Sequence, residues 1–117
     1  MSSNKPIILG DKPKLTIHTS PIGDVYHLAD IDWRVEYYAS RGSFVIAKDK
    51  AVKIDDDTYA LRVDTNKTGV GKLCGILYPS IPDSELEGGY YKPPVPFDTG
   101  EEIISPYNIV NDGVQNK

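Results

Sequence analysis

The chain has 117 residues, enough for one domain, and 39% of them are hydrophobic, so composition excludes a disordered chain. A net charge of −4, with no basic run and no interleaving of Lys/Arg with aromatics, argues against a nucleic-acid partner. No apolar run approaches the roughly 20 residues that span a bilayer, so no membrane partner is expected, and Ile7-Ile8-Leu9 is too short for the core of a secretion signal.

Taken in chain order, residues 1–13 read as an extended arm, because Pro13 interrupts the stretch after the short apolar piece Ile7-Ile8-Leu9. Leu15, Ile17 and Thr19 then alternate with Thr16 and His18, which is the period of a strand with one face buried. The clearest strand comes next: Ile31, Trp33, Val35 and Tyr37 alternate with Asp32, Arg34, Glu36 and Tyr38. Phe44 and Ile46 share a face, as do Val52 and Ile54, with Lys48-Asp49-Lys50 as the polar turn between them. Asp55-Asp56-Asp57 predicts a second turn before Tyr59, Leu61 and Val63, which again alternate with polar or small neighbours. The run KLCGILY is apolar on both faces and predicts a central strand covered on both sides, ended by Pro79 and Pro82. A polar loop IPDSELEGG, with one helical turn over Ser84–Leu86, leads to YYKPPVPF, whose Pro93, Pro94 and Pro96 predict an extended segment outside any central strand. EEIISPY predicts a last short edge strand, and a polar tail ends the chain.

Helical periodicity is almost absent. Short strands punctuated by Gly, Pro and Asp predict an all-β fold: an antiparallel, immunoglobulin-like β-sandwich of six or seven strands over residues 14–104, with an N-terminal arm (1–13) and a C-terminal tail (105–117).

No stretch carries the pattern of a catalytic or cofactor site. TGVGKL (68–73) looks like the end of a phosphate-binding loop, but the required first glycine is Asn66, no hydroxyl residue comes after Lys72, and a strand rather than a helix is next. Its glycines are expected to supply positive φ in a loop. Asp55-Asp56-Asp57 lacks the glycine and later glutamate of a calcium loop. His18 and His27 lack a third zinc ligand, and the lone Cys74 reads as a small core residue. Asp and Glu fall in turns or on wet faces, and no nucleophile elbow is present. No cofactor and no enzyme activity are therefore expected. Asn66-Lys67-Thr68 fits a glycosylation acceptor that carries meaning only behind a secretion signal. Trp33, on the inner face of its strand, is expected in the core; exposed, it is a platform for sugar stacking and, with the tyrosines, the basis of a carbohydrate-binding alternative. Eight tyrosines stand against two phenylalanines, a bias towards half-buried strands and contact surfaces. Tyr90-Tyr91-Lys92-Pro93-Pro94 is the most interface-like patch, because tyrosine and proline lose little conformational entropy on docking. With Ile7, Ile8 and Leu9 of the arm, these form the expected protein-contact set.

The order DIDWRVEYYAS, KIDDDTYALRVDTNKTGVGKL and YPSIPDSELEGGYYKPPVPFDTGEEI resembles a group of small phage and prophage proteins from Bacteroidetes, over residues 14–104. Those proteins in turn resemble the immunoglobulin-like N-terminal domain of phage baseplate upper proteins. The group has a regular strand where this chain has YYKPPVPF. The resemblance implies a virion structural role, made in a host cytoplasm: a head-fibre or capsid-surface component, with a tail or baseplate adapter as the alternative. It also implies other virion proteins as partners, and a dimer or trimer is expected.

Overall fold

The computed structural model describes residues 6–106. The chain is mostly β, with two sheets packed into a sandwich-like fold. Among the described residues the strands are β1 (Ile7–Ile8), β2 (Lys14–His18), β3 (Asp32–Tyr38), β4 (Ser43–Ala47), β5 (Val52–Asp55), β6 (Thr58–Arg62), β7 (Gly71–Pro82), β8 (Tyr90–Tyr91) and β9 (Val95–Ile104). The larger sheet has the order β1-β9-β7-β3-β4, with β8 paired to the far end of β7, and the smaller has the order β2-β6-β5. All pairs are antiparallel except β1 with β9, which is parallel.

Alternation in the sequence becomes alternation of burial. On β3, Trp33, Val35 and Tyr37 point inward while Asp32, Arg34 and Tyr38 stay exposed. Register carries this across the sheet: Val35 lies opposite Ile46 on β4 and Leu77 on β7, and Tyr37 lies opposite Phe44 and Gly75. From the smaller sheet Ile17, Tyr59 and Leu61 face them. The Trp33 and Tyr59 rings meet edge to face at 5.0 Å across the sandwich, and Trp33 Nε1 donates to the Leu28 carbonyl at 3.1 Å, so the one polar atom of the buried indole is satisfied. Gly75 is required by packing rather than by its backbone angles. A Cβ there would enter the Phe97 ring, which sits on the glycine and meets Tyr37 edge-on at 5.9 Å.

Several expectations are corrected. β7 does not end at Pro79; it runs twelve residues, to Pro82. Pairing with β9 stops at Leu77 and pairing with β8 begins at Ile81, so among the described residues Pro79 has only β3 beside it, and a missing donor is tolerated where one flank is open. Pro96 lies inside β9 for the same reason, since β1 covers the outer flank of β9 only at Ile103 and Ile104. The expected closing strand is thus the second half of a ten-residue strand, bent by an irregularity between the Cys74–Asp98 and Leu73–Glu101 pairs. β7 is central in order yet covered on one face: Leu73, Gly75, Leu77 and Pro79 are buried, while Cys74, Ile76 and Tyr78 on the other face are half-exposed. Cys74 is therefore not a core residue. All four residues of β5 are exposed, including Val52 and Ile54. The helical turn is at Thr65–Thr68 (α1), not at Ser84–Leu86, which forms successive turns.

The expected N-terminal arm is, from Ile7 to Pro13, a strap that ties the two sheets together. β1 extends the larger sheet, and Leu9 N donates to the Ile104 carbonyl at 2.9 Å. Gly10 N then donates to Thr65 Oγ1 at 2.8 Å, Thr65 Oγ1 donates to the Asp11 carbonyl at 2.7 Å, and Val63 N donates to the Pro13 carbonyl at 3.1 Å, which delivers the chain into β2 of the smaller sheet. Residues 1–5 of the arm and residues 107–117 of the expected tail lie outside the described residues.

Candidate protein interface

The patch singled out around Tyr90 is built on a hairpin at the end of β7. Tyr90 lies opposite Pro82 and Tyr91 opposite Ile81. The loop between them is closed by its own backbone. Asp83 N donates to the Gly89 carbonyl and Gly89 N to the Leu86 carbonyl, both at 2.9 Å, and the Asp83 carboxylate accepts from Glu85 N at 3.0 Å. Gly88 and Gly89 have φ of +88° and +79°, the left-handed region that favours glycine, and this lets two turns adjoin directly. On this frame Tyr90 and Tyr91 are 53% and 51% exposed, and Leu86 at the loop tip is 43% exposed, so the hairpin shows apolar area that the described residues leave uncovered. Pro93 and Pro94 join the hairpin to β9 by a segment with two φ angles already set. Beneath it, a hollow of about 310 Å³ is lined by Asp30, Asp32, Ser80, Tyr90 and Lys92.

Ile7, Ile8 and Leu9 are not part of this patch. Ile7 is a core residue, 8% exposed; Ile8 is half-buried, and Leu9 packs against the core. Ile7 pairs with Ile103, which pairs with Gly71 at the start of β7, whereas Tyr91 pairs with Ile81. At about 3.4 Å per residue the two groups lie on the order of 30 Å apart along β7. The contact set therefore divides into an exposed hairpin and a segment packed inside the fold.

The residues weighed for chemistry are held by structural bonds. In TGVGKL, Gly69 and Gly71 have φ of +83° and +114°. The loop begins at α1, where Asp64 caps Asn66 N at 3.1 Å and Gly69 N closes onto the Thr65 carbonyl at 2.9 Å. The Thr68 carbonyl accepts from Arg41 N at 2.9 Å, and Ser40 Oγ donates to the Val70 carbonyl, so the loop braces the β3–β4 turn. In the aspartate triplet, Asp55 accepts from Asp57 N at 2.9 Å, Asp56 pairs with Lys53 at 3.0 Å, and Asp57 pairs with His27 Nδ1 at 2.9 Å. The hydrogen bond to Asp57 raises the pKa of His27 above its ordinary value, and the charges of Asp57, Asp30 and Asp56 act in the same direction against desolvation. His18 Nδ1 lies 2.8 Å from Thr58 Oγ1. Among the described residues, no three His, Cys, Asp or Glu side chains are grouped to hold a metal. Trp33 is 2% exposed, so it offers no stacking face for a sugar.

Two grooves were not legible in the sequence. One, of about 530 Å³, lies between β2 and β9 over Leu28, Tyr37 and Phe97, with His18, Asp98 and Glu101 among its lining residues. The other, of about 570 Å³, lies between β4 and the smaller sheet. Both lie at sheet edges that are unpaired among the described residues, and alternation reports which face of a strand is buried but not which edge is left without a neighbour. Comparison of the chain with family models, with curated proteins and with solved structures found no match.

Proposed function

We propose that the chain is a non-enzymatic structural protein of a phage virion, an immunoglobulin-like sandwich on the head surface or in a head fibre, with a tail or baseplate adapter as the second placement in the same class. The motif resemblance over residues 14–104 supplies the class. The observation that carries an assembly role is the hydrogen-bonded hairpin presenting Tyr90 and Tyr91 to solvent. Tyr90 and Tyr91 are about half exposed, so docking removes from water on the order of half of the about 150–250 Å² that each aromatic buries in full. A contact region already fixed by its turns and by Pro93-Pro94 loses little entropy when it docks. Other virion proteins are the partners in this reading, and a dimer or trimer at symmetric positions multiplies weak contacts into avidity.

The test is incorporation. Purified particles are expected to contain the chain by mass spectrometry. Changing Tyr90→Ala with Tyr91→Ala is expected to lower its copy number about tenfold or more, at unchanged thermal stability, as for loss of an aromatic hot spot. Particles without the chain, or equal incorporation of the double variant, overturn the reading.

A further inference from the structure

The groove between β4 and the smaller sheet has an uneven composition for this molecule. Register places Lys14 opposite Arg62, and Thr16 and Val52 opposite Ala60, so Lys14, Val52, Ala60 and Arg62 share the face of the smaller sheet opposite to that of Ile17, Tyr59 and Leu61, with Ala60 buried on it and Lys14, Val52 and Arg62 exposed. The groove is lined on its other side by Phe44, Val45 and Ile46 of β4, and Lys50 lies at the turn joining β4 to β5. The lining therefore contains three cations and no acid, in a chain with a net charge of −4. Among the described residues the ion pairs are His27–Asp57, Lys53–Asp56 and Lys72–Asp98, so Lys14, Lys50 and Arg62 have no carboxylate partner; Arg62 donates to the Lys12 carbonyl at 3.0 Å. Between the cations, Val45 and Val52 are 51% and 66% exposed. Among the described residues β4 pairs with β3 alone, which leaves the backbone groups on its other edge to bond an added strand.

We infer that this groove docks an extended segment of a partner protein that alternates apolar and acidic side chains and adds to the free edge of β4. The free edge calls for backbone, the uncovered valines for apolar side chains, and Lys14, Lys50 and Arg62 for carboxylates. A neutral apolar strand leaves three cations without counter-charge, and a polyanion without apolar side chains leaves Val45 and Val52 in water. The site is separate from the tyrosine hairpin and does not depend on where in a virion the chain sits.

The experiment titrates the full chain, monitored by amide NMR, with a short peptide alternating valine and glutamate, and in parallel with one alternating valine and lysine. The expected result is shift changes along β4 and at Val52 with the glutamate peptide alone, weakened by added salt. Lys14→Glu with Lys50→Glu, both at exposed positions, is expected to weaken binding about tenfold or more while leaving the spectrum of the free protein folded. Equal binding of the two peptides, binding indifferent to the charge reversal, or no binding overturns the inference. So does self-association through this groove, seen as a dimer in light scattering that the charge reversal dissolves. None of these readouts uses particles, so failure here leaves the incorporation test to decide the virion reading on its own.

Discussion

The two ends of β7 carry comparable apolar content and use it in opposite ways. At the Gly71 end, Leu73, Ile103 and Ile7 are buried together beneath the N-terminal strap, and Thr65 and Thr68 are fully buried beside them. At the Pro82 end, Tyr90, Tyr91 and Leu86 stand in solvent. The difference is one of coverage. The Gly71 end has β9 beside it, with β1 beyond that and Thr65 clamping the strap by two hydrogen bonds. The Pro82 end has a two-residue strand and a loop that, among the described residues, is held by its own hydrogen bonds. Packing is thus concentrated at one end, while the other leaves apolar area exposed, the pattern in which loops carry fewer buried contacts than the elements they join.

The largest effect expected from breaking this contrast is at the sealed end. Ile103→Ala is predicted to cost about 2–5 kcal/mol in a urea melt, the range for large-to-small changes in a core. A loss under about 1 kcal/mol would mean that the strap end is looser than its burial indicates. Thr65→Val keeps the shape but removes the oxygen that joins Gly10 N to the Asp11 carbonyl, and should cost about 1–3 kcal/mol. It should also speed amide exchange at Leu9 and Gly10; unchanged protection at both would show that Thr65 does not hold the strap. At the open end, Tyr90→Ala with Tyr91→Ala is expected to shift stability by no more than about 0.5 kcal/mol. A larger loss would place the tyrosines in the fold's own energetics and erase the contrast.

The smallest effect is electrostatic. The folded-state pKa of His27 is raised, chiefly by its hydrogen bond to Asp57. Its contribution is therefore complete below the unfolded value of about 6.5 and fades as pH rises through the higher folded value. His27→Gln should be less stable than the parent at pH near 6 and indistinguishable from it well above the folded pKa. In an NMR titration, Asp57→Asn should return the His27 ring to the ordinary range; a ring that titrates there in the unmodified chain would remove the pair from consideration.

Much of the sandwich was legible in the residue pattern. Trp33, Val35 and Tyr37, or Tyr59 and Leu61, are spaced by two, and a strand with one face in a core must bury all or none of such a set. The positive φ of Gly69 and Gly71 was legible in the same way, since the loop offered glycine where other residues are strained. The same rule failed at β5. Val52 and Ile54 alternate as well as any pair in the chain, yet they lie on an edge strand that nothing in the described structure covers. It failed also at Pro79 and Pro96, where proline marks not the end of a strand but a flank without a neighbour. The candidate site was half legible. The composition of Tyr90–Pro94 suggested a contact surface, but Ile7-Ile8-Leu9 suggested one equally well.

The amino-acid sequence alone determined the local part: extended backbone, its punctuation by Gly, Pro and Asp, and the inward side of each strand, because these arise from steric preference and a two-residue repeat. Which strands became neighbours was decided only by the tertiary structure. Neighbours determine whether an apolar residue is sealed, like Ile7 against Ile103, or left in water, like Val52 and Tyr91. Burial depends on what lies across the gap from a side chain, and that partner is distant in the chain.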